Sequence, residues 1–251
     1  SPADKFKQLG WYAPNWSEPA KPWRFVPVTD REEFPHNYHG EGTGDIDGDG
    51  RTDIVLNEGW WQQPDASVPP GTRWEKHAFT FSDDVGGAQI LVYDVNGDGL
   101  NDVVTAKNAH GWGLSWFQQV RGSDGAINFV EHQIMGTRDE EDRFGVAFSQ
   151  PHAQAKADLD GDGLPDVITG KRRWAHGPSG DVEPMATPVV YAFLLQRDPA
   201  APGGARFVPR LIDDASGVGV QVVATDVSGD GVPDVLSVSK LGTFVFVTKR
   251  E

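Results

Sequence analysis

Asp45-Ile-Asp-Gly-Asp-Gly-Arg-Thr-Asp53 decides how this chain reads. Acidic side chains stand at its positions 1, 3, 5 and 9, with glycine at 4 and 6. The pattern returns without gaps as Asp94-Val-Asn-Gly-Asp-Gly-Leu-Asn-Asp102, Asp158-Leu-Asp-Gly-Asp-Gly-Leu-Pro-Asp166 and Asp226-Val-Ser-Gly-Asp-Gly-Val-Pro-Asp234. Self-similarity of this kind marks a repeat architecture. A β-branched run follows each copy: Ile54-Val55-Leu56, Val103-Val104-Thr105, Val167-Ile168-Thr169 and Val235-Leu236-Ser237. Strand-like stretches such as Gln89-Ile-Leu-Val-Tyr93 and Gln221-Val-Val-Ala-Thr225 precede them. The unit is therefore strand, acidic glycine loop, strand.

Oxygen donors at this spacing suit Ca²⁺, a hard ion that takes six to eight oxygens, with glycine allowing the tight wrap. The expected donors are the side chains of Asp45, Asp47, Asp49 and Asp53 with the Arg51 carbonyl. The second loop offers Asp94, Asn96, Asp98 and Asp102 with the Leu100 carbonyl, and the third Asp158, Asp160, Asp162 and Asp166 with that of Leu164. The fourth offers Asp226, Ser228, Asp230 and Asp234 with the Val232 carbonyl. Up to four structural Ca²⁺ ions are expected. The loop resembles the first half of an EF-hand, but lacks its bidentate Glu at position 12. The competing reading is a plain Asp/Asn-Gly hairpin turn, chosen for backbone reasons alone. Four copies favour calcium, because unliganded carboxylates at such spacing repel one another. Mg²⁺ fits less well, since it demands a stricter octahedron.

Working outward, an aromatic strand stands before each loop: Trp23–Val28, Trp74–Phe79, Ile127–His132 and Ala205–Arg210. Another follows: Trp60–Gln63, Leu114–Gln118, Val189–Phe193 and Thr243–Val247. Four short strands per repeat with Gly- and Pro-rich turns predict an all-β fold, a β-propeller of four-stranded blades. The expected division is an N-terminal extension over 1–22 and a propeller over 23–251. Its repeats run about 36–83, 84–136, 146–214 and 215–251, with 23–28 closing the last blade. The segment Asp139-Glu-Glu-Asp142 reads as a solvated loop.

The 251 residues carry 37 Asp+Glu against 22 Lys+Arg, a formal −15. That balance disfavours nucleic acid or an anionic membrane as partner. No run of 18 apolar residues exists, so no membrane insertion is expected. The absence of cysteine excludes disulfides, thiol catalysis and cysteine-held metals. Fourteen acidic residues belong to the four loops, and four Ca²⁺ would bring −15 to −7. The polypeptide begins Ser1-Pro-Ala-Asp4, without a signal peptide, as a mature chain would.

The loop joins two antiparallel strands, so the first strand's start lies beside the second strand's end, at the pole opposite the calcium. His39, Gln89, His152 and Gln221 stand near the starts. Asn57 and Glu58, Lys107 and His110, Lys171, Arg172, Trp174 and His176, and Lys240 stand at the ends. These groups should ring one mouth. His39 and His152 precede their loops by one residue more than Gln89 and Gln221 do. That slip turns a side chain to the other face unless a bulge intervenes. Singly, the lysines read as strand-end charges, the tryptophans Trp60, Trp61 and Trp174 as inter-blade packing, and the two histidines as inter-blade hydrogen bonds. The run Lys171–His176 differs: its cations and histidine suit an anionic or carbonyl ligand, though a solvated loop would also account for them. His36, His77 and His132 read as peripheral.

The Asp-x-Asp-Gly-Asp-Gly-x-x-Asp loops between strands resemble the FG-GAP/VCBS repeats of integrin-type β-propellers, over nearly the whole chain from about residue 23. His39-Gly-Glu-Gly-Thr-Gly-Asp45, Asn57-Glu-Gly-Trp-Trp61, Ser149-Gln-Pro-His152, Gly170–Gly177 and Asp213–Gly219 are similar to the propeller part of the aldos-2-ulose dehydratase group. Such propellers have seven blades, whereas four repeats are present here. The chain is then either a small closed propeller or the C-terminal part of a larger one. The resemblance implies a secreted or periplasmic keto-sugar lyase acting on a 1,5-anhydrofructose-like sugar. α-Proton abstraction and β-elimination need a base, an enolate stabiliser and an acid. His152 or His39 is then the base, Lys171 and Arg172 stabilise the enolate, and His176 is the acid. Glu58, Gln89, Lys107, His110, Trp174 and Gln221 would bind substrate. A second divalent metal such as Zn²⁺ would sit on His39, His152 and Glu58. The alternative is a non-catalytic glycan- or protein-binding propeller of lectin or adhesion type. An uneven, third-repeat concentration of Lys, Arg and His favours the enzyme.

Overall fold

The structure, a computed structural model, describes residues 6–33, 39–69, 71–83 and 86–249. Four antiparallel sheets stand as the four blades of a β-propeller. Four strands precede them: β1 (Phe6–Lys7), β2 (Gly10–Ala13), β3 (Arg24–Pro27) and β4 (Glu32–Glu33), β1 pairing with β4 and β2 with β3. Blade 1 is β5 (Gly42–Gly44), β6 (Asp53–Leu56), β7 (Gly59–Gln62) and β8 (Glu75–Ala78). Blade 2 is β9 (Leu91–Tyr93), β10 (Asp102–Ala106), β11 (Leu114–Arg121) and β12 (Ile127–Met135). Blade 3 is β13 (Pro151–Ala157), β14 (Asp166–Lys171), β15 (Val190–Arg197) and β16 (Ala205–Asp213). Blade 4 holds β17 (Gln221–Thr225), β18 (Asp234–Ser239) and β19 (Gly242–Phe246). Each blade runs in sequence order from the axis outward, with the acidic loop between its first two strands. No helix among the described residues is long and apolar enough to cross a membrane.

The alternating apolar positions meet between blades. Val55, Trp60, Phe81, Ile90 and Phe117 fuse blades 1 and 2; Val104, Trp116, Val167, Phe193 and Leu195 fuse blades 2 and 3. Ala153, Ile168, Val222 and Val235 join blade 3 to blade 4. Trp60 and Trp61 are packing residues, each 2% exposed. At the axis blade 1 approaches blade 2 so closely that Gly42 pairs with Ile90, and a Cβ on Gly42 would overlap the Ile90 carbonyl.

Two sequence expectations are corrected. Trp23–Val28 does not close blade 4: β3 pairs with β2, Tyr12 opposite Phe25, and among the described residues blade 4 is three-stranded. The reason is legible in register. Gly10-Trp-Tyr-Ala13 repeats the third-strand pattern Gly59-Trp-Trp-Gln62, so 10–27 folds as a third-and-fourth-strand pair rather than as an extension plus one strand. The pair caps blade 1, where Val28 is fully buried against Ile54, Leu56 and Trp61 and accepts a 3.0 Å bond from Trp74 N–H. The second correction is at Asp139–Asp142. A 3₁₀ turn over Arg138–Glu140, with a Thr137/Glu140 capping box, runs into the short helix α1 (Glu141–Phe144) there, and Gly145 in the left-handed region ends it.

Seam and surface positions predict different sensitivities. Phe193, in the seam between blades 2 and 3, has no exposed surface, whereas Val238 in blade 4 is 53% exposed. Phe193→Ala should cost about 3–5 kcal/mol in denaturant unfolding, and Val238→Thr less than about 0.5 kcal/mol. Equal midpoints for the two variants would contradict this packing scheme.

Candidate functional site

At one pole the four acidic loops share one hydrogen-bond plan. The first aspartate accepts from the backbone of both glycines: Asp45 from Gly48 and Gly50 at 2.8 Å, Asp158 from Gly161 and Gly163 at 2.6 and 3.1 Å. Those glycines have φ near +85°, which a side chain would resist. The ninth aspartate is fully buried and clamps the loop to the third strand. Asp53 accepts from Ile46 and Gln63 N–H, Asp102 from Val95 and Gln119, Asp166 from Leu159 and Leu195, and Asp234 from Val227, Ser228 and Thr248. Asp45, Asp47 and Asp53 bring carboxylate oxygens within 4.8 Å of one another, as do Asp158, Asp160 and Asp166. Position-5 residues lie outside those two groups; Asp49, for example, pairs with Arg51.

Burial pushes the clamp carboxyls up, to about 6 for Asp53, 7 for Asp102 and 6 for Asp166. Their paired backbone N–H bonds oppose the shift and neighbouring loop carboxylates add to it. Asp234 in the last sheet moves the other way, held low chiefly by Ser228 N–H. A hard cation would reverse the cost of ionising the first three.

The opposite pole gathers histidines. His39, His110 and His152 place ring nitrogens within 4.8 Å of one another, and the Nε2 atoms of His39 and His110 are 3.1 Å apart. Three neutral imidazoles so disposed fit a zinc-type ion, and the Nδ1 of His152 is buried without a hydrogen-bond partner. A bulge in β13 between Pro151 and Gln154 accommodates the one-residue offset of His152. Burial lowers all three histidines. His152 falls to about 3, with the charges of Arg172, His39 and His110 adding to the effect.

Behind them stands Asp181, which sequence reasoning missed. Its side chain is 1% exposed and accepts from Ala175 N–H at 2.7 Å, His176 N–H at 3.0 Å, His176 Nδ1 at 2.8 Å and His110 Nδ1 at 3.1 Å. Burial alone would raise this carboxyl, but the His176, His110 and Ala175 bonds outweigh it and hold it well below the ordinary range. Asp181 thereby fixes the tautomer of His176, whose Nε2 is left with its lone pair, and His176 stacks on His110 at 4.8 Å. No periodicity marks residue 181; only its proximity to His176 in an irregular segment could have pointed to it.

The cations divide. Arg172, 5% exposed, donates from Nε to Gln150 Oε1 at 3.3 Å and lies 2.9 Å from His110 Nδ1. Gln150 is fully buried and adopts the left-handed region at φ 61°, a strained setting for a non-glycine residue. Lys171, expected at the mouth, donates instead to Ser149 Oγ at 3.0 Å, and burial lowers it to about 8. It lines a separate cavity of about 350 Å³ with Phe148 and Tyr191. Glu58 also departs from its expected place. It turns with Asn57 into the β6–β7 hairpin and pairs with Lys76 at 3.6 Å, and His110 completes the histidine cluster in its stead.

Lys107 pairs with Asp83 and Glu131, as a strand-end charge would. Gln89 and Gln221 meet across the axis at 3.2 Å, Gln89 also accepting from Gln154 N–H. Gln89 lines an axial cleft of about 470 Å³ with His39 and His152. Trp174 stacks under Arg173, while Lys240 donates to the Trp174 carbonyl. His77 and His132 lie on outer strands, stacked on Trp60 and Trp116; His36 lies outside the described residues.

No protein-family model matches this chain, and no curated protein matches it.

The clamp aspartates give a pH signature. A carboxyl raised on folding contributes stability below its unfolded value near 4 and loses it as pH climbs through about 6 to 7. His39, His110 and His152 act in the opposite sense and cancel when the same protein is compared with and without calcium. If calcium occupies the loops, the rise in Tm that it brings should therefore grow from pH 5 to pH 8. A rise that shrinks over that range would show that the loops do not bury these charges.

Proposed function

We propose that the protein is an extracytoplasmic β-propeller of FG-GAP/VCBS type, stabilised by Ca²⁺ in its acidic loops. We further propose that its opposite mouth dehydrates a keto-sugar, as the likeness to the aldos-2-ulose dehydratase group suggests. The observation that carries the reading is the convergence of His39, His110 and His152 beside the oriented His176–Asp181 pair. Millimolar calcium outside the cytosol would fill loops of modest affinity.

A zinc-type ion on the three imidazoles would supply Lewis acidity toward the ketone oxygen. The remaining work falls to side chains of this chain. His176 takes the proton α to the ketone on Nε2, Asp181 steadying the imidazolium through Nδ1–H. The Arg172 guanidinium stabilises the enolate oxygen. As the enolate electron pair forms the new C=C bond, the β-hydroxyl leaves with the proton carried by His176, giving water and an enone. His39 and His152 thus pass from base to metal holders, and His176 serves as base and then acid.

A second reading draws on a different surface. Trp11, Tyr12, Trp16 and Trp23 are 44–78% exposed, and Trp16 meets Trp23 edge-on at 6.2 Å. Such a platform suits glycan or protein binding without chemistry.

Incubation with 1,5-anhydrofructose and related keto-sugars, following ultraviolet enone absorbance, tests the first reading. His176→Gln should lower kcat by about 10²–10⁴-fold with bound metal unchanged. His152→Ala should lose both metal and turnover yet keep calcium-dependent melting. Absence of turnover across the panel, with glycan binding lost in Trp16→Ala, would replace the first reading with the second.

A further inference from the structure

Charge around the mouth does not balance. Arg172 is 5% exposed, and among the described residues no carboxylate lies within the 4.0 Å of an ion pair with it. The nearby acids are already committed: Asp181 accepts four hydrogen bonds, and Glu183 pairs with Arg138 at 2.9 Å. Buried charges are ordinarily paired, because desolvation costs several kcal/mol per ion and only a counter-charge in good geometry repays it.

Arg172 also lines a cleft of about 340 Å³ between blades 3 and 4, with Arg173, Trp174, Val220, Val238 and Lys240. Three cations and no carboxylate line that cleft, and its other walls are largely apolar. Val220 borders both this cleft and the axial one that holds His39 and His152, so the two adjoin. The guanidinium therefore stands between the histidine cluster and a cationic cleft, donating to neutral Gln150 and lying 2.9 Å from His110 Nδ1.

We infer that the ligand of this mouth is acidic: a keto-sugar acid whose carboxylate is received by Arg172 while its body lies in the cleft beside Trp174. The inference rests on the keto-sugar reading above and narrows its substrate class from neutral sugars to sugar acids. A carboxylate supplies the missing counter-charge, and a guanidinium fork is the side chain best shaped to take it. Arg173 and Lys240 attract the anion from the cleft's rim without being buried themselves.

Calorimetric titration of the whole calcium-loaded protein at low salt tests this. The probes are 2-keto-D-gluconate and 5-keto-D-gluconate, with D-fructose as the uncharged keto-sugar. At least one acid should bind tenfold or more tighter than fructose. Arg172→Gln should bring that acid down to the level of fructose, and Arg172→Lys should restore part of the difference. An unchanged Tm in both variants separates this from loss of fold. The inference is overturned if neither acid binds, if both bind no tighter than fructose, or if Arg172→Gln weakens acid and fructose alike. The last outcome would mean that Arg172 only positions His110. Enone formation is read separately. Arg172-dependent binding of an acid without any turnover would sink the elimination and leave the acidic ligand standing. Turnover of neutral keto-sugars without preference for acids would do the reverse.

Discussion

The buried aspartate that ends each acidic loop is the interaction on which the rest of the molecule depends. In every blade its two oxygens accept N–H groups from the loop's own second residue and from the end of the third strand. Hydrogen bonds to a charged acceptor are each worth about 1.5–3 kcal/mol. One side chain thus ties the loop, the second strand and the third strand into a fixed corner. With that corner set, the first strand must run back along the axis, and its start must emerge at the far pole beside the end of the second. The histidine mouth is a geometric consequence of a carboxylate at the opposite end of the blade.

In three of the four blades the same residue carries a conflict that a cation would resolve. A carboxylate in this position is desolvated and crowded by loop acids, which is why three of the four are pushed upward. Protonation would relieve the charge but remove an acceptor that the backbone needs. A divalent ion in the loops would keep the acceptors ionised and the corner intact. In the first three blades, loop chemistry and blade geometry would then be a single problem.

Much of this was legible beforehand because repetition makes weak signals strong. The loops, blade order and polar placement of His39, His152 and Arg172 follow from spacing alone, since hairpin geometry leaves little freedom. What escaped was what does not repeat. Asp181 lies in the irregular stretch between β14 and β15, where no period constrains a side chain. Lys171 and Arg172 are adjacent in sequence, yet one faces Ser149 and the other His110, because neighbouring residues on a strand end point to opposite faces. Glu58 was misplaced because the second strand ends in a two-residue turn that carries it out to Lys76. The 10–27 hairpin has its signal in Gly10-Trp-Tyr-Ala13, a third-strand pattern with no acidic loop before it to mark a blade.

The separation of charge along the propeller axis has a consequence for traffic toward the mouth. The four acidic loops stand at one end, and Arg172, Arg173 and Lys240 line a cleft near the other, so acidic and basic side chains are shared unequally between the poles. An anion diffusing nearby would meet more repulsion at the loop end than at the histidine end, over a range set by the Debye length. Calcium in the loops, as proposed, would weaken the repulsive end and leave the cleft cations untouched. Metal at one pole would then set, through the field alone, how often an acidic molecule arrives at the other.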